Sequence, residues 1–300
     1  MAVGAALYIN MCGALSTARS IAVKFTKMHG IGNDFVVING LTEPISEEDY
    51  AAISRRLCDR KFGIGGDGII LVLPSKQADY KMRMFNPDGS EAEMCGNGIR
   101  VFAKYLYDRQ MISEPGLKVE TRAGVKALKL TIKKSEVESV RVDMGVPQLN
   151  RSDLEMTGDD GPVISETLKA EGRKFEITGV SMGNPHVVIF EDNLETLPLQ
   201  RYGFAIETHK SFPRRTNVHF VKVVSQSEIV VRTWERGAGE TLACGTGACA
   251  CVVACVLNNK TGRSVEVHLP GGDLRIEWLG DDKVMMTGPA AEVFEGEIKL

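Results

Sequence analysis

The chain repeats itself. Met94-Cys95-Gly96-Asn97-Gly98 returns as Ala243-Cys244-Gly245-Thr246-Gly247, and each copy is followed by a helix-forming run. Upstream, Gly32-Asn33-Asp34-Phe35-Val36-Val37-Ile38 returns as Gly183-Asn184-Pro185-His186-Val187-Val188-Ile189. Asn33 precedes Cys95 by 62 positions and Asn184 precedes Cys244 by 60. Between them Arg83, Phe85 and Glu91 align with Arg232, Trp234 and Glu240, all at an offset of 149. A period near 150 residues is far above solenoid lengths and points to domain duplication. A length of 300 residues allows two halves of ordinary size, each with its own core.

Within each half the apolar pattern changes period. Ile69–Leu73 and Lys81–Phe85 read as strands, and Ile99, Phe102, Ala103 and Leu106 give one apolar helix face running to about Arg109. Ser46 followed by three acids resembles a helix N-cap, with that helix running to about Arg60 and stopping at Phe62-Gly63. Short alternating strands are expected near Leu117–Thr121, Val125–Ile132 and Val137–Met144. The second half repeats the order. Its strands fall at Phe175–Ser181, Val187–Phe190, Val218–Val224, Ile229–Trp234, Val265–Leu269, Leu274–Trp278 and Val284–Thr287. Its helices lie near Gln200–His209 and from about Gly247 to Leu257. Many short strands with few helices mean an α+β fold with mostly antiparallel pairing. The turn-rich stretch from Pro147 to Pro162 puts the boundary near Gly145–Asn150. The expected division is an extension at 1–22, one lobe over 23–146 with 288–300 pairing back onto it, and a second lobe over 147–287.

Bulk properties exclude several roles. The formal charge of −3 gives no reason to propose nucleic acid or an anionic membrane as partner. No apolar run approaches the 18 residues or so of a membrane span. Seven cysteines, an odd number, argue for free thiols in a reducing compartment rather than a disulfide scaffold. Residues 1–22 hold no acid and one base, Arg19. They read either as an organellar targeting remnant or as a frayed N-terminus.

The two Cys-Gly turns carry the chemistry. A cysteine just before a helix sits beside unpaired backbone N–H groups and the positive end of the helix dipole, a setting that lowers a thiol below its free pKa of about 8.5. Gly96, Gly98, Gly245 and Gly247 let the backbone approach a ligand, and those N–H groups can hold a carboxylate. Taken singly, such a turn reads as a tight turn around a buried thiol; the matched pair points to chemistry. Removing a proton from carbon needs a base whose pKa is near working pH, and a carboxylate at about 4.3 is too weak. Two opposed thiols, one ionised and one protonated, could take a proton from one face of a carbon and return one to the other, with titrations that belong to the pair. Such chemistry needs neither metal nor organic cofactor.

Further polar residues stand nearby. Asn33, Asn86, Asn184 and Asn217 lie at glycine turns or strand ends, where each is either a turn former or a ligand for carboxylate and ammonium. Glu235-Arg236 ends a strand just before the second thiol turn, and Arg236 can pair with a carboxylate. His186 reads equally as a supporting site residue and as a satisfied structural histidine. Cys244, Cys249, Cys251 and Cys255 lack the paired knuckle spacing of zinc sites, so no metal site is expected from them. Gly63-Ile64-Gly65-Gly66-Asp67-Gly68 does not match a nucleotide loop and reads as a turn beside the site.

Over residues 24–300 the chain resembles the diaminopimelate epimerase family. The resemblance rests on His29-Gly30-Ile31-Gly32-Asn33-Asp34-Phe35, Asn86-Pro87-Asp88-Gly89-Ser90-Glu91, Met94-Cys95-Gly96-Asn97-Gly98 and Ser181-Met182-Gly183-Asn184-Pro185-His186. Glu235-Arg236-Gly237-Ala238-Gly239-Glu240-Thr241 and Ala243-Cys244-Gly245-Thr246-Gly247 complete it. It implies two pseudo-symmetric α+β lobes, each a sheet wrapped around a central helix, with the site in the cleft between them. It further implies interconversion of LL- and meso-2,6-diaminopimelate in lysine biosynthesis, with Cys95 and Cys244 as acid and base. Asn33, Asn86, Asn184, Asn217, Glu235 and Arg236 would contact this small-molecule substrate, joined by the backbones of Gly96-Asn97 and Gly245-Thr246. Some members carry Gln where this chain has Gly68, so any side-chain contact there is missing. Proline racemase, or an amino-acid binding protein of the same fold, are the competing expectations. Relatives work in the bacterial cytoplasm and in the plastid stroma, and the sequence leaves a homodimer open.

Overall fold

The run from Ala248 to Cys255 is apolar on every side, and a helix of that kind has no stable place except inside a core. In the computed structural model, which describes residues 22–300, this run lies in the helix Gly245–Leu257 and is buried throughout. The expected extension at 1–22 lies, but for its last residue, outside the described residues.

The first half runs β1 (Ala22–Gly30), β2 (Asn33–Asn39), α1 (Tyr50–Leu57), β3 (Gly68–Leu73), β4 (Tyr80–Phe85), β5 (Glu91–Ala92), α2 (Gly96–Asp108), β6 (Gly116–Thr121), β7 (Gly124–Lys133) and β8 (Glu136–Asp143). The second half opens with β9 (Glu166–Ala170) and then repeats that order. It runs β10 (Arg173–Ser181), β11 (Pro185–Phe190), α3 (Leu199–Glu207), β12 (Asn217–Ser225), β13 (Glu228–Glu235), β14 (Gly239–Thr241), α4 (Gly245–Leu257), β15 (Ser264–Leu269), β16 (Gly272–Trp278) and β17 (Val284–Gly288). β18 (Ala291–Lys299) ends it.

Pairing repeats as well. β1–β2 and β10–β11 are antiparallel, β2–β3 and β11–β12 parallel, and β4–β6 and β13–β15 parallel. β9 covers the open edge of β10 as a hairpin partner. The equivalent edge of β1 is covered by β18, with Ala22 opposite Lys299. β8 pairs antiparallel with β17 and joins the lobes into one eighteen-stranded sheet. The sheet of each lobe wraps its own central helix, α2 or α4, and a single apolar core runs through both. The fold is the expected pair of pseudo-symmetric α+β lobes.

Local departures have local causes. The first helix begins with a 3-10 turn over Glu47–Asp49, and Ser46 makes no cap bond to backbone, its hydroxyl turning to Glu48 instead. α1 stops at Leu57 because the backbone N–H groups of Ile64 and Gly65 take the Leu57 carbonyl and that of Gly66 takes the Cys58 carbonyl. β9 is an element the sequence pattern did not reveal: a short edge strand with Thr167 and Lys169 facing outward offers little apolar signal. Among the described residues no helix is long and apolar enough to cross a membrane.

Candidate active site

Each repeated cysteine sits at a helix start. Cys95 is the N-cap of α2, with extended φ of −135°, and Cys244 is the N-cap of α4, with φ of −124°. The two helix starts abut. A Cβ placed on Gly245 would lie 3.6 Å from the Gly96 Cα and 3.2 Å from Met286 Sδ, and one on Gly96 would meet Met286 Cε at 2.8 Å. A side chain at either glycine would crowd the end of Met286, and one on Gly245 would also touch the Gly96 backbone. The absence of one brings each cysteine, a single peptide bond away, to the seam between the lobes. Asn97 Nδ2 crosses that seam to the Ala243 carbonyl at 3.3 Å.

Around Cys95 the partners are fixed in a chain. Its sulfur accepts from Gly98 N at 3.4 Å and lies 3.8 Å from Asn33 Oδ1. That oxygen also accepts from Asn97 Nδ2 at 3.3 Å, and Asn33 Nδ2 donates to Asp67 Oδ2 at 2.7 Å. Asp67 in turn pairs with Arg60, which bridges to Asp34. Although burial works against ionisation, Arg60 and Lys27 hold the Asp34 carboxyl at about 2. Below the sulfur, Arg100 is fully buried and finds no carboxylate among the described residues. It donates to the Gly96 carbonyl at 3.0 Å, Asn97 Oδ1 at 2.9 Å and the Pro289 carbonyl at 3.1 Å. Burial brings its pKa down to about 10, so it stays charged at neutral pH.

Around Cys244 the partners differ. Thr246 Oγ1 lies 3.7 Å from its sulfur, and the Glu235 carboxyl lies beside it while accepting from Thr241 Oγ1 at 2.5 Å. Burial pushes the Glu235 carboxyl up. Behind the sulfur, His186 Nε2 faces Asn184 Oδ1 at 3.0 Å, and His186 Nδ1 faces His219 Nε2 at 2.9 Å. His219 Nδ1 faces Thr233 Oγ1 at 3.0 Å. Burial drives His219 down to about 3, and burial together with His219 drives His186 well below 6.5.

Helix starts were expected to lower both thiols; the structure reverses that. Burial raises Cys95, outweighing the N–H groups of Gly98 and Asn97, and raises Cys244 further because Glu235 adds a like charge. Partial charges at a helix end are worth about 0.3–1 kcal/mol in exposed settings, less than the cost of taking a thiolate out of water.

The remaining expected residues divide. Arg236 is exposed, its Nη1 donates to the Arg214 carbonyl at 3.4 Å, and it has no carboxylate partner among the described residues, which leaves the rest of its guanidinium open to an anion. Asn217 is buried and committed: Nδ2 donates to the Pro185 carbonyl at 2.9 Å and Oδ1 accepts from Arg236 N at 2.9 Å, which sets the Glu235-Arg236 turn. Asn86 closes the turn to Ser90, its Nδ2 donating to Ser90 Oγ at 3.0 Å. Thr246 and the amides of Gly96, Asn97 and Gly245 line the first turns of the two helices. Cys249, Cys251 and Cys255 are buried inside α4. Asp67, Arg100 and His219 escaped the sequence reading. The usable signals were the acid inside the glycine-rich turn, a base on the apolar side of α2, and an Asn-x-His that occurs at both Asn184 and Asn217.

The family model described as diaminopimelate epimerase matches residues 25–150 and 178–293. A diaminopimelate epimerase of Pelotomaculum thermopropionicum is 56% identical over 273 residues, covering 91% of this chain and 98% of that protein. One of Methanococcus maripaludis is 50% identical over 279 residues, covering 93% and 100%. Among solved structures, a phenazine biosynthesis protein of the PhzF family from Bacillus anthracis superposes with a TM-score of 0.70 at 17% identity, covering 92% of this chain and 99% of its own. A hydroxyproline epimerase from Agrobacterium vitis superposes with a TM-score of 0.69 at 15% identity, covering 93% of both. At such identities these two speak for the fold alone.

Proposed function

The chain belongs to the diaminopimelate epimerase family, and from that membership we propose that it interconverts LL- and meso-2,6-diaminopimelate in lysine biosynthesis, with Cys95 and Cys244 as the acid and base. The observation that carries the reading is the pair of cysteine N-caps set side by side by abutting Gly96 and Gly245. On this reading one sulfur, as thiolate, removes the α-proton while the other, as thiol, delivers a proton to the opposite face. The backbones of Gly96-Asn97 and Gly245-Thr246 receive the α-carboxylate at two helix N-termini. Arg236 takes the distant carboxylate, while Asn33, Asn86, Asn184 and Glu235 meet the remaining polar groups and Asn217 holds the turn that presents Arg236. Both proton transfers belong to the chain's own thiols, so the reading asks for no metal or organic cofactor. The lobes that go with it are 23–146 together with 288–300, and 147–287. We place the enzyme in the cytoplasm, a reducing compartment that suits six free thiols among the described residues.

Incubation with LL-diaminopimelate in deuterated water tests the reading. Deuterium should enter at the α-carbon, and Cys95→Ala or Cys244→Ala should lower turnover by several orders of magnitude. Two cysteine variants that both keep full turnover would overturn the mechanism, and turnover of proline alone would overturn the substrate.

A further inference from the structure

Two strands that lie parallel and adjacent each begin with Asn-x-His: Asn184-Pro185-His186 leads into β11 and Asn217-Val218-His219 opens β12. Both imidazoles are 0% exposed, and their inner nitrogens, His186 Nδ1 and His219 Nε2, stand 2.9 Å apart. Their outer nitrogens are already held, one by Asn184 Oδ1 and the other by Thr233 Oγ1, each at 3.0 Å. Gly247 admits the second ring under the first turn of α4, since a Cβ there would sit 2.2 Å from His219 Cε1. Cys244 Sγ completes the group: one ligand atom from each of the three side chains lies within 4.8 Å of the other two.

Two oriented imidazoles and a sulfur, buried together, are the donor set of a zinc site. Bond lengths of about 2.0–2.1 Å to nitrogen and 2.3 Å to sulfur around a tetrahedral ion require nitrogens about 3.3 Å apart and sulfur about 3.6 Å from each. The inner nitrogens, 2.9 Å apart, need to separate by a few tenths of an ångström, and the sulfur, within 4.8 Å of both, needs to close on them by up to about 1 Å. The carbonyl and hydroxyl partners on the outer nitrogens are those that orient metal-binding histidines.

We propose that His186 Nδ1, His219 Nε2 and Cys244 Sγ form an inhibitory site for a borderline-soft divalent cation, zinc first, that takes Cys244 out of proton transfer. Binding forms one metal–sulfur and two metal–nitrogen bonds. The Cys244 thiol proton leaves to solvent. His219 moves its hydrogen from Nε2 to Nδ1, from which it donates to Thr233 Oγ1, so one proton is released per cation. Magnesium and calcium, which take oxygen ligands, are rejected by the same donor set. Capture of the ion stands on geometry alone; its effect on turnover rests on the epimerase reading above.

The test uses the full chain, stripped of metal with a chelator and titrated with Co(II). The expected result is one cation per chain, a near-ultraviolet sulfur-to-cobalt charge-transfer band, strong visible bands of a tetrahedral ion, and displacement by zinc. Epimerase activity should fall in step with zinc occupancy and return on chelation. Cys95→Ala should keep the band. Cys244→Ala and His219→Gln should lose it, and Thr233→Val should weaken binding about tenfold, as removal of an outer partner does. X-ray absorption at the zinc edge of the unmutated protein, showing two nitrogens and one sulfur, decides the matter should a variant fail to fold. Absence of the band, a band that survives Cys244→Ala, or a first shell without two nitrogens overturns the site. A normal band in a protein that never epimerises diaminopimelate leaves the site standing and removes the epimerase reading instead.

Discussion

Twin cysteines at equivalent helix starts are not chemically equivalent, because the residues around them are not duplicated. At the offset of 149, Arg100 corresponds to Cys249 and Asn86 to Glu235. Cys95 therefore has a buried guanidinium beneath it, while Cys244 has a buried carboxyl beside it. Burial raises both thiols. At Cys95 the N–H groups of Gly98 and Asn97 take back part of the rise, and Arg100 offsets part of Glu235's push. At Cys244 Glu235 is the largest influence after burial and drives it higher. The ionised form is thus lost from Cys244 first as pH falls, and Cys95 is the first of the two sulfurs to ionise as pH rises. Iodoacetamide labelling followed by mass spectrometry should find Cys95 modified before Cys244, at rates climbing as pH is raised from about 8 to about 10. Glu235→Gln removes the like charge and should speed Cys244 labelling by about tenfold at fixed pH. Faster labelling of Cys244 in the unmutated protein would contradict this asymmetry. The duplicated turns were legible in the sequence because chemistry demanded the same letters twice. The asymmetry was not, because Arg100 and Glu235 act only after folding strips them of water.

At the scale of elements, α3 illustrates how a helix outside the cleft acts on it. Its last residue, Glu207, is 2% exposed. Glu207 accepts from Trp234 Nε1 at 2.7 Å, from Gly237 N at 2.9 Å and from Arg215 at 3.3 Å. Gly237 follows Arg236, so the carboxylate fixes the end of the turn whose other end is tied by Asn217. Glu207→Ala strands a buried indole N–H and a backbone N–H, each costing about 1–3 kcal/mol when left without an acceptor. We expect a loss of about 2–4 kcal/mol in urea unfolding, and a KM for diaminopimelate that rises more than kcat falls, because Arg236 is loosened while the sulfurs stay in place. An unchanged KM would show that the turn holds without α3. Apolar spacing was enough to reveal α3 as a helix and Glu235-Arg236 as a strand end, but the contact between them spans 30 positions and follows no periodicity. The central helices were easier to read, since an all-apolar α4 and a one-sided α2 state their burial in their own residues. Edge strand β9, five residues long and polar on its outer side, did not.

For the whole molecule, the repeat carries a displacement that the aligned halves alone do not display. β9 enters the second lobe as the first strand of a hairpin, Ala170 opposite Arg173 with Glu171-Gly172 between them. The first lobe fills that same position with β18, which arrives from the far end of the chain and sets Lys299 opposite Ala22. One lobe is thus a circular permutation of the other, and its missing connection can be restored. A two-residue turn from Lys299 to Ala22, copied from Glu171-Gly172, would join β18 to β1 in the register they already have. Opening the chain at Pro289-Ala290, between β17 and β18, would then give both lobes the same strand order. Loop-closure entropy favours this exchange, because a contact that now joins residues 277 positions apart becomes a hairpin, and each doubling of loop length costs about 0.6 kcal/mol. The new termini lie next to the Pro289 carbonyl that accepts from Arg100, so Pro289 must remain attached to β17 for the floor beneath Cys95 to survive. We expect the permutant to refold faster than the parent chain, since its contact order is lower, with an unchanged far-ultraviolet dichroism spectrum and epimerase activity within a few-fold. A permutant that stays unfolded, or that folds with β18 unprotected in amide hydrogen exchange, would show that β18 does more for the first lobe than occupy the place β9 occupies in the second.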